Sequence, residues 1–207
     1  LEQISYIVNH AEDTYVFFDL SFLHLVETLS AHCKSVKGYI AMTDRDHMPA
    51  VTTIKNLMCY EDLIETNHDQ YEWPSFDENA ASTLCYTSGT TGNPKGVLYS
   101  HRSTILHAYA SSLPDALRVS AREVVMPVVP MFHVNAWGVP YAAAMVGSKL
   151  VMPGPGLDGK SLLELIEGEQ VTSLLGVPTV WLGLLGHLRS VGRTLTTVKK
   201  ITIGGSA

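Results

Sequence analysis

Residues 86–97 read Tyr-Thr-Ser-Gly-Thr-Thr-Gly-Asn-Pro-Lys-Gly-Val. Thr87, Ser88, Thr90 and Thr91 offer hydroxyls, Gly89, Gly92 and Gly96 let backbone amides approach a ligand closely, and Lys95 adds a cation. A turn furnished this way suits phosphate oxygens, which take hydrogen bonds from bare amides and hydroxyls and are offset in charge by an ammonium. The apolar run just before it predicts a strand, so the loop is expected at the carboxyl edge of a parallel sheet, where open α/β folds bind ligands. Two common phosphate loops do not fit. A Walker A loop needs Gly before its Lys and Ser or Thr after it, whereas Pro94 precedes Lys95 and Gly96 follows. A dinucleotide fingerprint needs G-x-G-x-x-G, and Gly89-Thr90-Thr91-Gly92 has other spacing. The competing reading is a polar surface turn, since Gly, Thr, Asn and Pro are ordinary turn formers. Hydroxyl and glycine positions in series, closed by Pro-Lys-Gly, are hard to obtain from turn chemistry alone.

Further segments extend the pattern. Val129 to Trp137 reads Val-Pro-Met-Phe-His-Val-Asn-Ala-Trp, Gly176 to Trp181 reads Gly-Val-Pro-Thr-Val-Trp, and the chain closes on Ile-Gly-Gly-Ser-Ala. With Tyr86 to His101, these segments resemble, in order and interval, the motifs of the adenylate-forming superfamily, which includes acyl-CoA synthetases, luciferase-like enzymes and nonribosomal peptide adenylation domains. The resemblance covers essentially the whole chain and is strongest from Ser82 to Ala207.

That resemblance implies a reaction. Members of the superfamily join a carboxylate to ATP as an acyl-adenylate, releasing pyrophosphate, and acyl-CoA synthetases then pass the acyl group to the thiol of coenzyme A. The physical need is to hold triphosphate and carboxylate in line while negative charge moves toward the departing pyrophosphate. By motif match, Thr87, Ser88, Gly89, Thr90, Thr91 and Gly92 would bind the β- and γ-phosphates, Lys95 would contribute charge, and Mg2+ would share the phosphates beside Thr90. His133 is expected near the acyl carbonyl as the catalytic candidate, with Trp137, Val177 and Gly204 lining the substrate pocket. Gly204, Gly205 and Ser206 would abut the adenine and the acyl group. His133 and Trp137, spaced i, i+4, would share one face of a helix starting near Asn135. Each of these has a plainer alternative: a His and a Trp in an apolar stretch are often core residues, and Gly-Gly-Ser at a strand end is an ordinary turn. The resemblance also implies that the motifs for ribose, for further Mg2+ contact and for the C-terminal catalytic lysine would lie beyond Ala207. The chain is therefore expected to be an internal fragment, inactive by itself, without the C-terminal lid domain.

The elements that would position these residues follow from periodicity. Strand-like runs are Tyr15 to Asp19, Gly38 to Thr43, Ser82 to Ser88, Glu123 to Val129, Lys149 to Pro153, Thr172 to Val177 and Lys199 to Gly205. Between them, helical spacing spans 22–33, 59–66, 101–113, 135–147, 161–169 and 178–190, and 44–55 reads as loop. The strands carry continuous apolar runs, as in sheets covered on both faces. The fold class expected is α/β, with layered, mainly parallel sheets flanked by helices. Residues 1–79 would close a first sheet half, and 80–207 would form the half bearing the phosphate loop and acyl pocket, with Trp73-Pro74 in the linker. Pro178 fits the first position of a helix, and residues 101–113 read as a packing helix.

Composition narrows the classes of function. Of 207 residues, 46% are apolar, and a formal charge of −6 gives no electrostatic footprint for nucleic acid. No apolar run reaches the ~20 residues of a membrane span, and the opening residues lack the pattern of a secretion signal. Three scattered cysteines favour a reducing, cytoplasmic setting over a disulfide framework. The nine histidines form no metal-binding pattern, and Glu61-Asp62 and Asp77-Glu78 are adjacent rather than opposed acids. The expected partners are a small carboxylic acid, ATP and CoA, with a homodimer left open. The segment His133 to Trp137 and the apolar residues around it resemble acyl-CoA ligases more than amino-acid adenylation domains, and the resemblance implies an ATP-dependent ligase for fatty or other apolar acids. Transfer to a carrier-protein thiol, or a nucleotide-binding module without catalysis, stands as the alternative.

Overall fold

A computed structural model describes residues 1–87 and 92–205. The chain divides into two units, one of Leu1–Phe76 with Tyr86–Lys95, the other of Asp77–Cys85 with Gly96–Ala207. In the first unit, strands β1 (Tyr15–Phe18), β2 (Gly38–Ala41) and β3 (Leu57–Cys59) form a parallel sheet in that order. Central β2 is buried at every position, which explains its unbroken apolar run. Tyr39 and Ala41 face a core completed by Phe18, Val26 and Ile54. Helices α1 (Glu2–His10), α2 (Leu23–Ser30) and α3 (Tyr60–Glu65) accompany the sheet. In this unit α1 and β3 have no counterpart in the sequence reading, nor does the strand Lys95–Ser100 further along the chain. α1 carries Ile4, Ile7 and Val8 on one face, a spacing the sequence reading passed over, and buries Val8. β3 has three residues, too few for a periodic signal.

The phosphate-loop segment hangs from strands β4 (Ala81–Thr87) and β5 (Lys95–Ser100). The Ser82 hydroxyl donates to the Tyr99 carbonyl at 3.1 Å, and the Thr87 hydroxyl to the Lys95 carbonyl at 3.4 Å, so the strands run antiparallel. This corrects the expectation that the loop springs from a parallel sheet. The stretch between Thr87 and Lys95 is too short for a parallel crossover, which takes about a dozen residues or more. Lys95 accordingly opens a strand instead of sitting in the loop. Helix α4 (His101–Ser112) follows, started by a capping box in which Ser100 and Ser103 exchange side-chain bonds to backbone amides.

The rest of the second unit is a four-stranded parallel sheet in the order β7-β6-β8-β9, with β6 at Val124–Val128, β7 at Lys149–Leu150, β8 at Ser173–Gly176 and β9 at Lys200–Ile203. Alternate residues serve opposite cores. Met126, Val128 and Leu174 pack with Leu162 and Ile166 of α7 (Gly159–Gly168) and Leu184 and Leu188 of α8 (Pro178–Val191). Val125 and Leu175 pack with Ala108 of α4 and with Val139, Ala142 and Ala143 of α6 (Val139–Val146). Each fully buried Leu, Ile or Val contributes about 1.5–3 kcal/mol through area removed from water. The expected α/β class, with parallel strands between helical layers, is the class observed. Pro178 opens α8, where its missing N–H is of no consequence. α7 is capped by the Asp158 carboxylate, which accepts from the Lys160 and Ser161 amides at 3.0 and 3.1 Å.

Candidate functional site

Between β6 and α6 the backbone takes an unusual course. Val134, Asn135, Ala136 and Trp137 have φ of 51°, 51°, 50° and 58°, and Gly138 has 68°. These residues make one left-handed turn, α5 (Val134–Trp137), and the right-handed helix begins only at Val139. The expectation of a helix from Asn135 is thereby corrected. A left-handed turn costs L-residues roughly 1–2 kcal/mol each, and it is rarest for a β-branched residue such as Val134. Burial of Ala136 and packing of Trp137 on the cluster around Val139 offset this. The Cys85 thiol donates to the Asn135 side-chain oxygen at 3.2 Å, tying the turn to β4. Strain held in place by its surroundings is typical of binding sites.

The turn decides where the candidate side chains go. A Cβ at Gly204 would lie 3.3 Å from Cη2 of Trp137, and one at Gly205 would lie 3.4 Å from Cγ1 of Val177 and 3.9 Å from Cζ2 of Trp137. Trp137, Val177, Gly204 and Gly205 therefore meet, although they come from three separate segments. Gly205 has a φ of 83°, and the Gly204 amide donates to the Gly176 carbonyl at 3.3 Å. The Gly-Gly pair continues the end of β9 beside β8, and its lack of side chains lets the indole approach the backbone closely.

His133 does not share a helical face with Trp137. It precedes the turn in extended conformation, with φ −110° and ψ 111°. It is exposed, and among the described residues its imidazole has no hydrogen-bond partner. Ahead of it, Met131 and Phe132 are also exposed.

On the α4 side of the turn lies a mainly apolar cavity of about 200 Å3, lined among others by Tyr99, His107, Val134, Asn135, Gly138 and Tyr141. The sequence reading missed it and took residues 101–113 as a packing helix. α4 does pack on α6, but His107, Ser103 and Thr104 also face the cavity. The site is closed by an intimate fit, in which a Cβ at Gly138 would stand 2.5 Å from Nδ1 of His107. No linear pattern marks these residues, because they come from β5, α4, α5 and α6.

Of the loop candidates, Thr87, Gly92 and Lys95 are described and exposed. Ser88, Gly89, Thr90, Thr91 and Ser206 lie outside the described residues. Gly92 has a φ of 92°, and a Cβ there would meet nothing within 4 Å. Among the described residues no group of three His, Cys, Asp or Glu is placed to hold a metal ion.

A family profile described as AMP-binding enzyme matches residues 1–207, the whole chain. The chain belongs to this family. It is 53% identical over 207 residues to a medium-chain-fatty-acid–CoA ligase of Ectopseudomonas oleovorans, with all of the chain aligned to 38% of that enzyme. It is 54% identical over 206 residues to a 3-methylmercaptopropionyl-CoA ligase of Ruegeria pomeroyi, again against 38% of its length. The chain thus spans well under half of the curated relatives it matches. Among solved structures, the anthranilate CoA ligase in complex with anthranoyl-AMP superposes over 100% of the chain and 39% of its own, with a TM-score of 0.81 at 18% identity, a likeness of fold. The AMP-binding family chain described here has no helix, among the described residues, long and apolar enough to cross a membrane.

Proposed function

We propose that the protein carrying this chain is an ATP-dependent carboxylic acid–CoA ligase for a fatty or other apolar acid. The observation that carries the reading is the meeting of Trp137, Val177, Gly204 and Gly205 at the end of the parallel sheet, next to an apolar cavity and in the same chain as a phosphate-type loop. The names of the curated relatives support the same reaction.

Thr87, Ser88, Gly89, Thr90, Thr91 and Gly92 hold the β- and γ-phosphates through hydroxyls and amides, and Lys95 offsets their charge. The open space at Gly92 and the exposed ammonium of Lys95 fit a phosphate chain. The loop contains no carboxylate, so Mg2+ would be held chiefly by the phosphates, with the Thr90 hydroxyl as the loop's contribution. When bound, Mg2+ neutralises charge on the pyrophosphate leaving group. Gly204 and Gly205 present a side-chain-free edge on which a flat adenine can rest, and Ser206, outside the described residues, follows them in the sequence toward the acyl group. His133, exposed and without a hydrogen-bond partner among the described residues, is available to donate to the acyl carbonyl. Trp137 and Val177 wall the pocket, and the cavity bounded by His107 and Tyr141 takes the apolar tail.

Chemically, the carboxylate oxygen attacks the α-phosphorus, the bond to pyrophosphate breaks, and the acyl-adenylate forms. The CoA thiolate then attacks the acyl carbon and AMP leaves, the thiol proton passing to solvent. Loop and pocket act by orientation and charge stabilisation, which grows as charge moves onto the pyrophosphate. The free cysteines, Cys33, Cys59 and Cys85, suit a cytoplasmic setting.

The test is ATP–pyrophosphate exchange by the full-length protein over a panel of carboxylic acids, followed by acyl-CoA formation. Exchange with apolar acids and CoA thioester as product is the expected result. Exchange without thioester points to another acceptor, and no exchange with any acid overturns the proposal.

A further inference from the structure

The boundary between the two units falls within β4, between Cys85 and Tyr86, and within β5, between Lys95 and Gly96. Tyr86 and everything up to Lys95 therefore group with the first unit, while the strands that lead to them group with the second. Tyr86 makes a specific contact within the first unit. The Tyr86 hydroxyl and Nδ1 of His10 are 2.6 Å apart, and the two rings meet edge to face with centroids 5.8 Å apart. Tyr86 immediately precedes Thr87, the first residue assigned above to phosphate binding.

His10 is itself held in place. It ends α1, one turn after Tyr6, whose ring lies against it at a centroid distance of 5.2 Å. The neighbouring Asn9 donates to the His32 carbonyl at 2.9 Å and accepts from the Lys34 amide at 3.0 Å, while Val8 is buried. The end of α1 is thus pinned to the body of the first unit, and from there the imidazole reaches the residue at the loop's entrance. Burial, reinforced by the nearby Tyr6 and Asp13, pushes the Tyr86 phenol above its usual range. It keeps its proton at neutral pH, and the hydroxyl donates to Nδ1 or accepts from it according to the imidazole tautomer.

We propose that His10 is a positioning residue for the nucleotide: through Tyr86 it anchors the chain immediately before Thr87, the entry of the segment assigned to phosphate binding. The inference rests on the phosphate-binding role assigned above. Its physical content is preorganisation. A loop whose first residue is anchored loses less freedom when it closes on a ligand, so releasing the anchor weakens binding without removing any group that touches the nucleotide.

Equilibrium binding of ATP to the full-length protein, with Mg2+ present, tests this independently of any acid. His10→Ala removes one hydrogen bond and is expected to weaken ATP binding by about threefold to tenfold. The KM for the carboxylic acid and the melting temperature stay unchanged. His10→Asn, whose side-chain oxygen reaches the position of Nδ1, restores affinity, and His10→Gln does not. Tyr86→Phe reproduces the loss, and the double variant is no worse than either single one, as a shared contact requires. Wild-type affinity in His10→Ala, or losses that multiply in the double variant, overturn the inference. ATP binding without pyrophosphate exchange for any acid would fail the ligase reading and leave the His10 comparison decisive. Absence of ATP binding by the wild type would overturn both.

Discussion

The indole of Trp137 stands where a side chain at position 204 would have to be: a Cβ on Gly204 would lie 3.3 Å from its Cη2. Segments far apart in the chain are thereby made into one wall. The left-handed turn that ends on Trp137 is what turns the ring toward β9, and the Gly-Gly pair is what lets it come close. In the full-length protein, Trp137→Ala should change acid choice rather than nucleotide affinity. The ratio of kcat/KM for bulky over small acids should rise by about tenfold, the scale on which apolar pockets discriminate. An unchanged ratio would remove Trp137 from the pocket.

Lys95 is exposed at the start of β5, and its ammonium has no ion pair among the described residues. Lys95→Ala should raise the KM for ATP by about 10–100-fold, the worth of a charge-assisted hydrogen bond. The melting temperature should stay the same, because little packing is lost. Thr90→Ala should act in the same direction. Wild-type adenylation in both variants would refute the phosphate assignment.

Gly138 combines a φ of 68° with a Cβ position only 2.5 Å from Nδ1 of His107. Gly138→Ala should destabilise by about 1–3 kcal/mol from overpacking alone, with a further penalty from the left-handed backbone. Adding His107→Ala should recover the steric part and leave the backbone part. Urea unfolding of the single and double variants separates the two, and a Gly138→Ala protein as stable as wild type would show that the turn can relax.

The Tyr39 hydroxyl is buried without a hydrogen bond of good geometry. Burial, followed by the Cys33 thiol beside it, raises its pKa from 10.0 to about 12. A raised pKa means that the folded state holds the proton more tightly. The contribution is complete below pH 10, the ordinary value, and is lost as pH climbs toward about 12. Tyr39→Phe should therefore be neutral or stabilising by up to about 1 kcal/mol at pH 7. It should also flatten the fall in stability between pH 10 and 12. An equally steep fall in Tyr39→Phe would assign the alkaline transition to another group.

Several of these relationships invert what the linear pattern suggests. The spacing of His133 and Trp137 reads as one helical face, yet backbone angles of opposite hand between them send the two apart. The strand before the loop reads as part of a parallel sheet, yet the chain returns too soon for a crossover and pairs antiparallel.

Taken alone, the sequence determined what is local: the loop's run of hydroxyl, glycine and lysine residues, the strand and helix periods of a sheet covered on both faces, and Pro178 at a helix start. Those features are written in consecutive residues, whose chemistry and spacing carry their meaning without neighbours. Only the tertiary structure decided that α4 lends His107 to a cavity, that Trp137 rests on Gly204, and that His10 holds Tyr86. Such contacts join residues tens of positions apart, and they depend on how side chains fill space once the elements pack, a property no single segment encodes.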